Sequence, residues 1–186
     1  MNFTDTVNEV LAIVKRPDKI LDIRREINAA VNMFCSDADF TRDVQEELFA
    51  IDPAQYSQNI LYSALTRFRK VQFIKLAGTY NYLTELQAKK LVASLDAKDK
   101  WYMAGSGIRV NMCKLASNLD VGYYQYPPTL SDSVNTFWLL DQSPFMVIDR
   151  VAAKIFINIG DKPSADIHLQ SSAQAYSVFR NSQGAT

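Results

Sequence analysis

Histidine and cysteine, which carry much of the metal and nucleophilic chemistry of proteins, are scarce in this sequence. It contains one histidine and two cysteines, Cys35 and Cys113, among 186 residues. These three residues do not make a zinc ligand set, and no Ser-His-Asp or Cys-His arrangement can be proposed around His168. We interpret the cysteines as buried free thiols of a reducing compartment, with a disulfide or a metal pair as the alternatives. The sequence therefore predicts no catalytic residue, no metal site, no cofactor and no enzymatic activity.

The chain also lacks an excess of one charge and a long apolar run. Twenty basic and twenty acidic residues give a formal net charge of zero, whereas nucleic-acid and membrane-surface binders usually carry a basic excess. Asp141, Asp149 and Arg150 interrupt the most apolar stretch before it reaches the ~18 residues that indicate a membrane span. The first ten residues carry acids where a signal peptide needs positive charge. We expect a protein that contacts no membrane, is assembled in the cytoplasm and has little charge repulsion to oppose self-association.

Strong helical periodicity is present at the start of the chain. Apolar residues recur at helical spacing over 3–14 and again over 20–34. Pro17 separates the two segments, because the residue before a proline resists the helical region, and Asp18 is placed to cap the second helix. The simplest arrangement over 1–36 is an N-terminal pair of antiparallel helices.

Residues 58–126 form a mixed segment in which strand patterns dominate. A short helical or mixed stretch precedes it from Asp39. Alternating apolar residues predict strands, and one stretch returns to helical spacing. The predicted strands lie over 58–65, 70–76 and 121–126, and the predicted helix lies over 85–95.

Basic and aromatic residues alternate at the start of the second of these strands. Arg67, Arg69 and Lys70 are interleaved with Phe68 and Phe73, which resembles the surface that binds single-stranded nucleic acid. Lysines that protect an edge strand give the same pattern. We favour the edge strand and keep the nucleic-acid surface as an alternative.

The stretch WYMAGSGIRVNM, over 101–112, predicts a β-hairpin. Its centre, Gly105-Ser106-Gly107, tolerates the positive φ angles that a tight turn demands. A phosphate-binding loop would lead from a strand into a helix, whereas this one leads into a second strand. The hairpin and the strand over 121–126 are predicted to share one small antiparallel sheet.

Residues 144–160 predict a central buried helix. Ser143 is placed to cap it, Pro144 occupies its first position and Gly160 suits a left-handed C-terminal cap. One face carries apolar residues from Phe145 to Ile159, and the opposite face is apolar as well. A helix that is apolar on most sides needs neighbours on two sides. We expect these neighbours to come from the chain itself and, to complete the burial, from other subunits.

A weaker helix and a polar tail are predicted over 163–186. Small residues on this helix allow another backbone to approach closely. A partner surface and simple fraying are both compatible with this pattern. Together, the elements predict a single domain over 1–186 of the α+β class, mainly α, with a helical-bundle core, a small antiparallel β insertion and a C-terminal docking helix.

The order of these segments resembles the head-to-tail adaptor, or connector, proteins in the neck of tailed bacteriophages. The resemblance covers most of the chain, and the break YYQYPP followed by a proline-initiated helix is its most specific part. The segments that carry it are AIVKRPDK, REINAAVNMF, DFTRD, RFRKVQFIK, WYMAGSGIRV, VGYYQYPPTLSD and FWLLDQSPFMVIDRVAAKIFINIGD.

The resemblance implies a virion structural protein that is assembled in the host cytoplasm. Copies would form a homo-oligomeric ring, a dodecamer in this family, that binds the portal protein and a tail or nozzle protein and contacts DNA transiently during ejection. It implies a portal-docking set on the last helix, namely Ala165, Leu169, Ser172, Tyr176, Phe179 and Arg180. It implies a tail-facing hairpin with Trp101, Tyr102, Gly105, Gly107 and Arg109.

Two other functions remain as alternatives. A stopper or tail-terminator subunit would also form a ring but is usually richer in β structure. A small DNA-binding regulator would show salt-sensitive binding that depends on Arg67, Arg69 and Lys70.

Overall fold

The protein has an α+β fold, as predicted, in a computed structural model that describes residues 1–86 and 98–183. The helices are α1 (Phe3–Val14), α2 (Ile20–Asp37), α3 (Trp138–Gln142), α4 (Pro144–Ile159) and α5 (Lys162–Ser182). The strands are β1 (Val44–Ala50), β2 (Ser57–Leu61), β3 (Phe68–Leu76), β4 (Thr84–Glu85), β5 (Lys100–Ala104), β6 (Gly107–Asn111) and β7 (Asn118–Gln125). Most of the predicted helix over 85–95 lies outside the described residues.

The chain divides into two compact units, each with its own apolar core. Residues 1–43 and 126–186 form the helical unit, and residues 44–125 form the β unit. In chain order the β unit is therefore an insertion between α2 and α3. The assignment of one adaptor-like domain to the whole chain stays a prediction.

The first two helices confirm the predicted pair, with one correction at the start of the second. The side chain of Asn2 accepts a hydrogen bond from the Asp5 amide at 2.8 Å and caps α1. Asp18 does not cap α2, because residues Pro17–Lys19 form a 3₁₀ turn and the Asp18 carboxylate instead accepts bonds from Arg16. Helix α2 begins only at Ile20.

Helix α4 is central to the helical unit. It begins at Pro144 and ends where Gly160 takes a left-handed conformation with φ of 84°, as the sequence predicted. The cap predicted for Ser143 is absent, since its side chain makes no capping hydrogen bond. Helices α1, α2, α3 and α5 all pack against α4.

These neighbours bury most of α4 within one chain. Its buried residues are Met146, Val147, Ile148, Val151, Ala152, Ala153, Ile155 and Phe156. Only two of its large apolar side chains are exposed: 67% of Phe145 and 49% of Ile157 is accessible. The expectation that other subunits complete the burial of this helix is therefore wrong for all but these two residues.

The segment after Pro127-Pro128 is held against the helical unit by polar contacts. Asn28 in α2 accepts a hydrogen bond from the Leu130 amide at 2.6 Å and donates one to the Leu130 carbonyl at 3.1 Å. Further along, the indole N–H of Trp138 donates to Asp43 at 2.9 Å. The two bonds of Asn28 satisfy backbone groups of Leu130 that no helix or strand pairs.

The β unit contains two sheets around one apolar core. One sheet has the order β1-β7-β3 and is antiparallel, and the other has the order β2-β6-β5-β4, with β4 parallel to β5. The predicted hairpin is confirmed as β5–β6, but it does not share a sheet with β7 as expected. The stretch after Asp39 forms a 3₁₀ turn and then strand β1.

The glycines of the hairpin serve a different purpose from the predicted one. Neither Gly105 nor Gly107 has a positive φ angle. A Cβ atom on Gly107 would collide with the carbonyl oxygen of Ile60 in the adjacent strand β2. Gly107 is therefore required because the two backbones approach closely.

Candidate functional site

A groove of about 370 Å³ lies between α2, α4 and α5 in the helical unit. Arg150, Lys154 and Ile157 of α4 lie four and three residues apart and so form one strip along the helix. Apolar side chains form most of the remaining wall. The lining residues are Glu26, Ala29, Ala30, Met33, Arg150, Val151, Lys154, Ile157 and Leu169.

The groove carries a net positive charge. Within residues 1–86 and 98–183, neither Arg150 nor Lys154 has a carboxylate within ion-pair distance. The acid in the groove, Glu26, is already contacted by Arg25 at 3.3 Å. Two cations beside an apolar wall suit an occupant that combines a carboxylate with an apolar side chain.

The portal-docking residues inferred from the resemblance mostly face inward. Ala165, Ser172 and Phe179 are buried within the helical unit. Leu169 lines the groove, and Tyr176 packs on Phe34 with ring centroids 4.9 Å apart. Their common face holds α5 on its own chain, so these residues do not form a free docking surface in this fold.

Tyr176 and Arg180 join the end of α5 to the end of α2. The Tyr176 hydroxyl donates a hydrogen bond to Asp37 at 2.7 Å, and Arg180 lies 4.0 Å from the same carboxylate. Burial raises the pKa of Tyr176 strongly, and the hydrogen bond to Asp37 and the negative charge of that residue raise it further. Both residues thus have a stabilising role that the sequence did not indicate.

The tail-facing residues inferred from the resemblance divide between the core and the surface. Trp101 is 5% exposed and belongs to the core of the β unit. Tyr102 and Arg109 are opposite each other across the β5–β6 ladder, where Tyr102 is half-buried and Arg109 exposed. Gly105 is exposed at the turn. Of this set, only Tyr102, Gly105 and Arg109 are available to a partner.

Basic residues just before β3 and within it contact other side chains of the β unit. Arg67 donates to the Gln125 side chain at 2.8 Å. The Arg69 guanidinium lies 5.1 Å from the centre of the Tyr124 ring, and the Lys75 ammonium lies 5.3 Å from that of Phe73. These aromatic rings are thus partly covered by cations of the same chain, whereas a nucleic-acid surface would leave them open to stacking bases.

His168 takes part in a polar cluster that connects α4 to α5. Its Nδ1 lies 2.7 Å from one oxygen of Asp149, and the Ser171 hydroxyl donates to the other oxygen at 2.5 Å. The carboxylate is therefore the central member, whereas a hydrolytic triad places histidine between serine and the acid. His168 also stacks on Phe156 at 5.5 Å. The cluster has the geometry of a structural contact between two helices.

Neither Cys35 nor Cys113 forms a disulfide in the part of the chain that the structure describes, and the two differ in exposure. Cys35 is buried, as expected, but Cys113 is exposed. The Asp99 carboxylate accepts a hydrogen bond from the Cys113 amide at 2.9 Å. A further hydrogen bond to Asp99 raises the pKa of the Cys113 thiol, which lowers its reactivity.

The described ranges contain neither a metal-binding cluster nor a membrane-spanning helix. There, no three histidine, cysteine or acidic residues are grouped so as to hold a metal ion. None of the helices described there combines the length and the apolarity needed to cross a bilayer.

No protein-family model matches the chain, and no curated protein matches its sequence. Its function is therefore inferred from the order of its segments and from the surfaces of its two units.

Proposed function

We propose that this protein is a head-to-tail adaptor of a tailed bacteriophage. Its copies form a ring beneath the portal, provide the platform to which the tail attaches and surround the channel through which DNA leaves. In this role the protein is structural and has no enzymatic activity, and it belongs to the neck of the virion.

The observation that carries the proposal is the arrangement of the two units along the chain. A helical unit is interrupted between α2 and α3 by a β unit that contains an aromatic-glycine hairpin. A helical core with a β insertion is what the resemblance to phage adaptors implies. The described residues of the insertion include seven strands, so the insertion is larger than the hairpin alone.

Exposed apolar side chains on the helical unit support assembly with other protein surfaces. Apolar side chains that are exposed in the isolated subunit are available to a neighbouring copy or to a partner protein. In a ring, each copy covers part of the next. The exposed large apolar residues on its longer helices are Ile20, Leu21, Met33, Phe145, Ile157, Ile167 and Val178.

The outward side of α5 suits the portal better than its inward side. Ile167 and Val178 are both exposed, eleven positions and about three turns apart, and so lie on the same side of the helix. The inward residues of α5 are occupied by contacts with α2 and α4. The proposed portal contact therefore uses Ile167 and Val178, and the tail or nozzle contact uses Tyr102, Gly105 and Arg109 of the hairpin.

The alternatives receive less support. A stopper or tail terminator is expected to be richer in β structure, whereas five α-helices occur in the described residues. A DNA-binding regulator requires open basic residues, whereas Arg67 is hydrogen-bonded to Gln125 and Arg69 lies over Tyr124.

Electron microscopy of the purified protein mixed with the portal protein of the same genome tests the proposal. The expected result is a ring of this protein, with rotational symmetry, stacked coaxially on the portal. Portals that remain bare at saturating concentrations of the protein would exclude the adaptor role.

A surface variant tests, in the same experiment, whether the outward side of α5 contacts the portal. The double substitution Ile167→Asp and Val178→Asp should abolish portal binding while the circular dichroism spectrum stays unchanged. Truncation after Gly160 is a poorer test, because α5 covers α4 and its removal exposes the core. Full portal binding by the double variant would refute the assignment of the outward side of α5.

A further inference from the structure

We infer that the groove between α2, α4 and α5 receives helix α1 of a second copy of this chain. The inference rests on the proposed function, since it names the contact between neighbouring subunits of the ring. It is carried by the matching charges and spacing of two surfaces of the helical unit.

The groove offers two cations and an accessible apolar surface. Arg150 and Lys154 lie four residues apart on α4, about 6 Å along the helix axis. Ile157 continues the strip three residues later and is 49% exposed, and Met33 on α2 is 38% exposed. A partner that pairs the cations and covers the two apolar side chains would complete this surface.

The outward side of α1 offers two carboxylates at the same spacing. Asp5 and Glu9 are exposed and lie four residues apart, and the sequence of α1 contains no lysine or arginine. In the part of the chain that the structure describes, neither carboxylate has an ion-pair partner. The acidic side of α1 is thus opposite in charge to the basic strip of α4, and the charges on both helices are four residues apart.

The next residue on each helix extends the match to an apolar contact. Ala12 is exposed three residues after Glu9, just as Ile157 follows Lys154 by three residues. When the two helices run in parallel, Asp5 faces Arg150, Glu9 faces Lys154 and the small side chain of Ala12 leaves room for Ile157. Small residues at such positions let two helices approach closely.

The contact is heterologous, because α1 contributes no residue to the groove. Each copy therefore keeps one free groove and one free α1 after pairing with a single neighbour. Such contacts add further copies and close into a ring when the rotation between neighbours permits. A chain of zero net charge with opposite charges on two separate surfaces suits this mode of assembly.

Charge reversal on each surface tests the contact with the full-length protein. One variant carries Arg150→Glu and Lys154→Glu, and the other carries Asp5→Lys and Glu9→Lys. The wild type should form oligomers in analytical ultracentrifugation. Each variant alone should have a self-association Kd at least about 100-fold higher, since two attractive pairs become repulsive at about tenfold each.

Mixing the two variants distinguishes this contact from a general effect of charge. In a mixture, the acidic groove of one variant meets the basic α1 of the other, and the unchanged groove meets an unchanged α1. Oligomers should therefore return at equimolar mixing. The matched control, Lys98→Glu with Lys114→Glu, changes two exposed lysines of the β unit and should assemble as the wild type does.

Several outcomes would overturn the inference. It fails if the wild type is monomeric at the highest soluble concentration, if either folded variant assembles as the wild type does, or if the mixture of variants stays monomeric. Circular dichroism confirms that each variant is folded. A wild-type ring that assembles through this contact but ignores the portal would refute the adaptor role and leave the subunit contact intact.

Discussion

At the scale of single residues, Tyr176 has the most informative environment in the helical unit. Its hydroxyl donates to Asp37 and its ring packs on Phe34, so that one side chain joins α5 to α2. Burial and the neighbouring carboxylate together disfavour ionisation and raise the pKa of the phenol. The folded protein therefore holds this proton to a higher pH than the unfolded chain, in which a tyrosine ionises near pH 10.

This shift predicts a loss of stability in alkaline solution. Because the pKa is raised on folding, the contribution of Tyr176 is fully present below about pH 10 and falls as the pH rises through the folded-state pKa. The free energy of unfolding of the wild type should drop more between about pH 9 and pH 11 than that of Tyr176→Phe. Urea unfolding at both pH values measures the difference.

Comparing the wild type with Tyr176→Phe isolates the contribution of Tyr176 from that of two other tyrosines. Tyr62 and Tyr123 also have raised pKa values, chiefly through burial, and both remain in the variant. Their contribution cancels when the two proteins are compared at the same pH. Equal losses in the wild type and in Tyr176→Phe would show that the Asp37 contact does not control the titration.

Capping residues show what sequence reasoning at this scale misses. Asp18 and Ser143 are good N-cap residues by type, but neither caps a helix here. Asp18 is engaged by Arg16, and the cap of α1 comes from Asn2 instead. Residue type defines which side chains are able to cap, whereas competing partners decide which of them do.

At the scale of secondary-structure elements, α4 was predicted well because its signals are local. Pro144 and Gly160 mark its ends, and its apolar periodicity indicates burial. Strand β1 was missed because its signal is not local. Its acids, Glu46 and Glu47, favour a helix or a loop, but pairing with β7 overrides this preference.

The two sides of α4 predict different responses to truncation of a side chain. Ile155 is 0% exposed, whereas Ile157 is 49% exposed. Ile155→Ala should lower the free energy of unfolding by about 2 to 5 kcal/mol, because it leaves a cavity in the core. Ile157→Ala should change it by about 0.5 kcal/mol or less in an isolated subunit, as expected for a surface position.

Denaturant titration of the monomeric protein compares these two variants. The substitution is the same in both and the positions are two residues apart, so helix propensity contributes equally. If Ile157→Ala were as destabilising as Ile155→Ala in the monomer, the exposed side of α4 would have to be covered within the chain.

At the scale of the whole molecule, the groove could not be predicted from the sequence, because its walls come from helices that are far apart along the chain. It brings Glu26, Arg150 and Leu169 together from three helices, one of which is more than 120 positions from the others in sequence. Arg150 and Lys154 were visible only as interruptions of an apolar helix. Their role as the wall of a basic groove depends on the packing of α2 and α5 against α4.

The division of the chain predicts that the helical unit folds without the β unit. Its core contains none of the described residues of 44–125. Val44 and Tyr124 are paired in the β1–β7 ladder, so the two connections are separated by about 5 Å. Joining Asp43 to Tyr126 through a few glycine and serine residues should therefore give a helical protein with cooperative thermal unfolding.

Circular dichroism and calorimetry of this shortened chain check the prediction. A matched chain in which Ile155→Ala is added should melt at a lower temperature, which shows that the native core has formed. A shortened chain that unfolds without cooperativity would mean that the helical unit depends on the β unit.

The pairing of β1 with β7 also has a consequence for the order of folding. If the β unit, of about 80 residues, were unstructured, closing the chain across it would cost about 3 kcal/mol more than closing a two-residue loop. Once β1 and β7 have paired, the ends of the β unit lie close together, and the long connection costs no more entropy than a short loop. Early formation of this ladder should therefore accelerate the docking of the C-terminal helices onto the N-terminal pair.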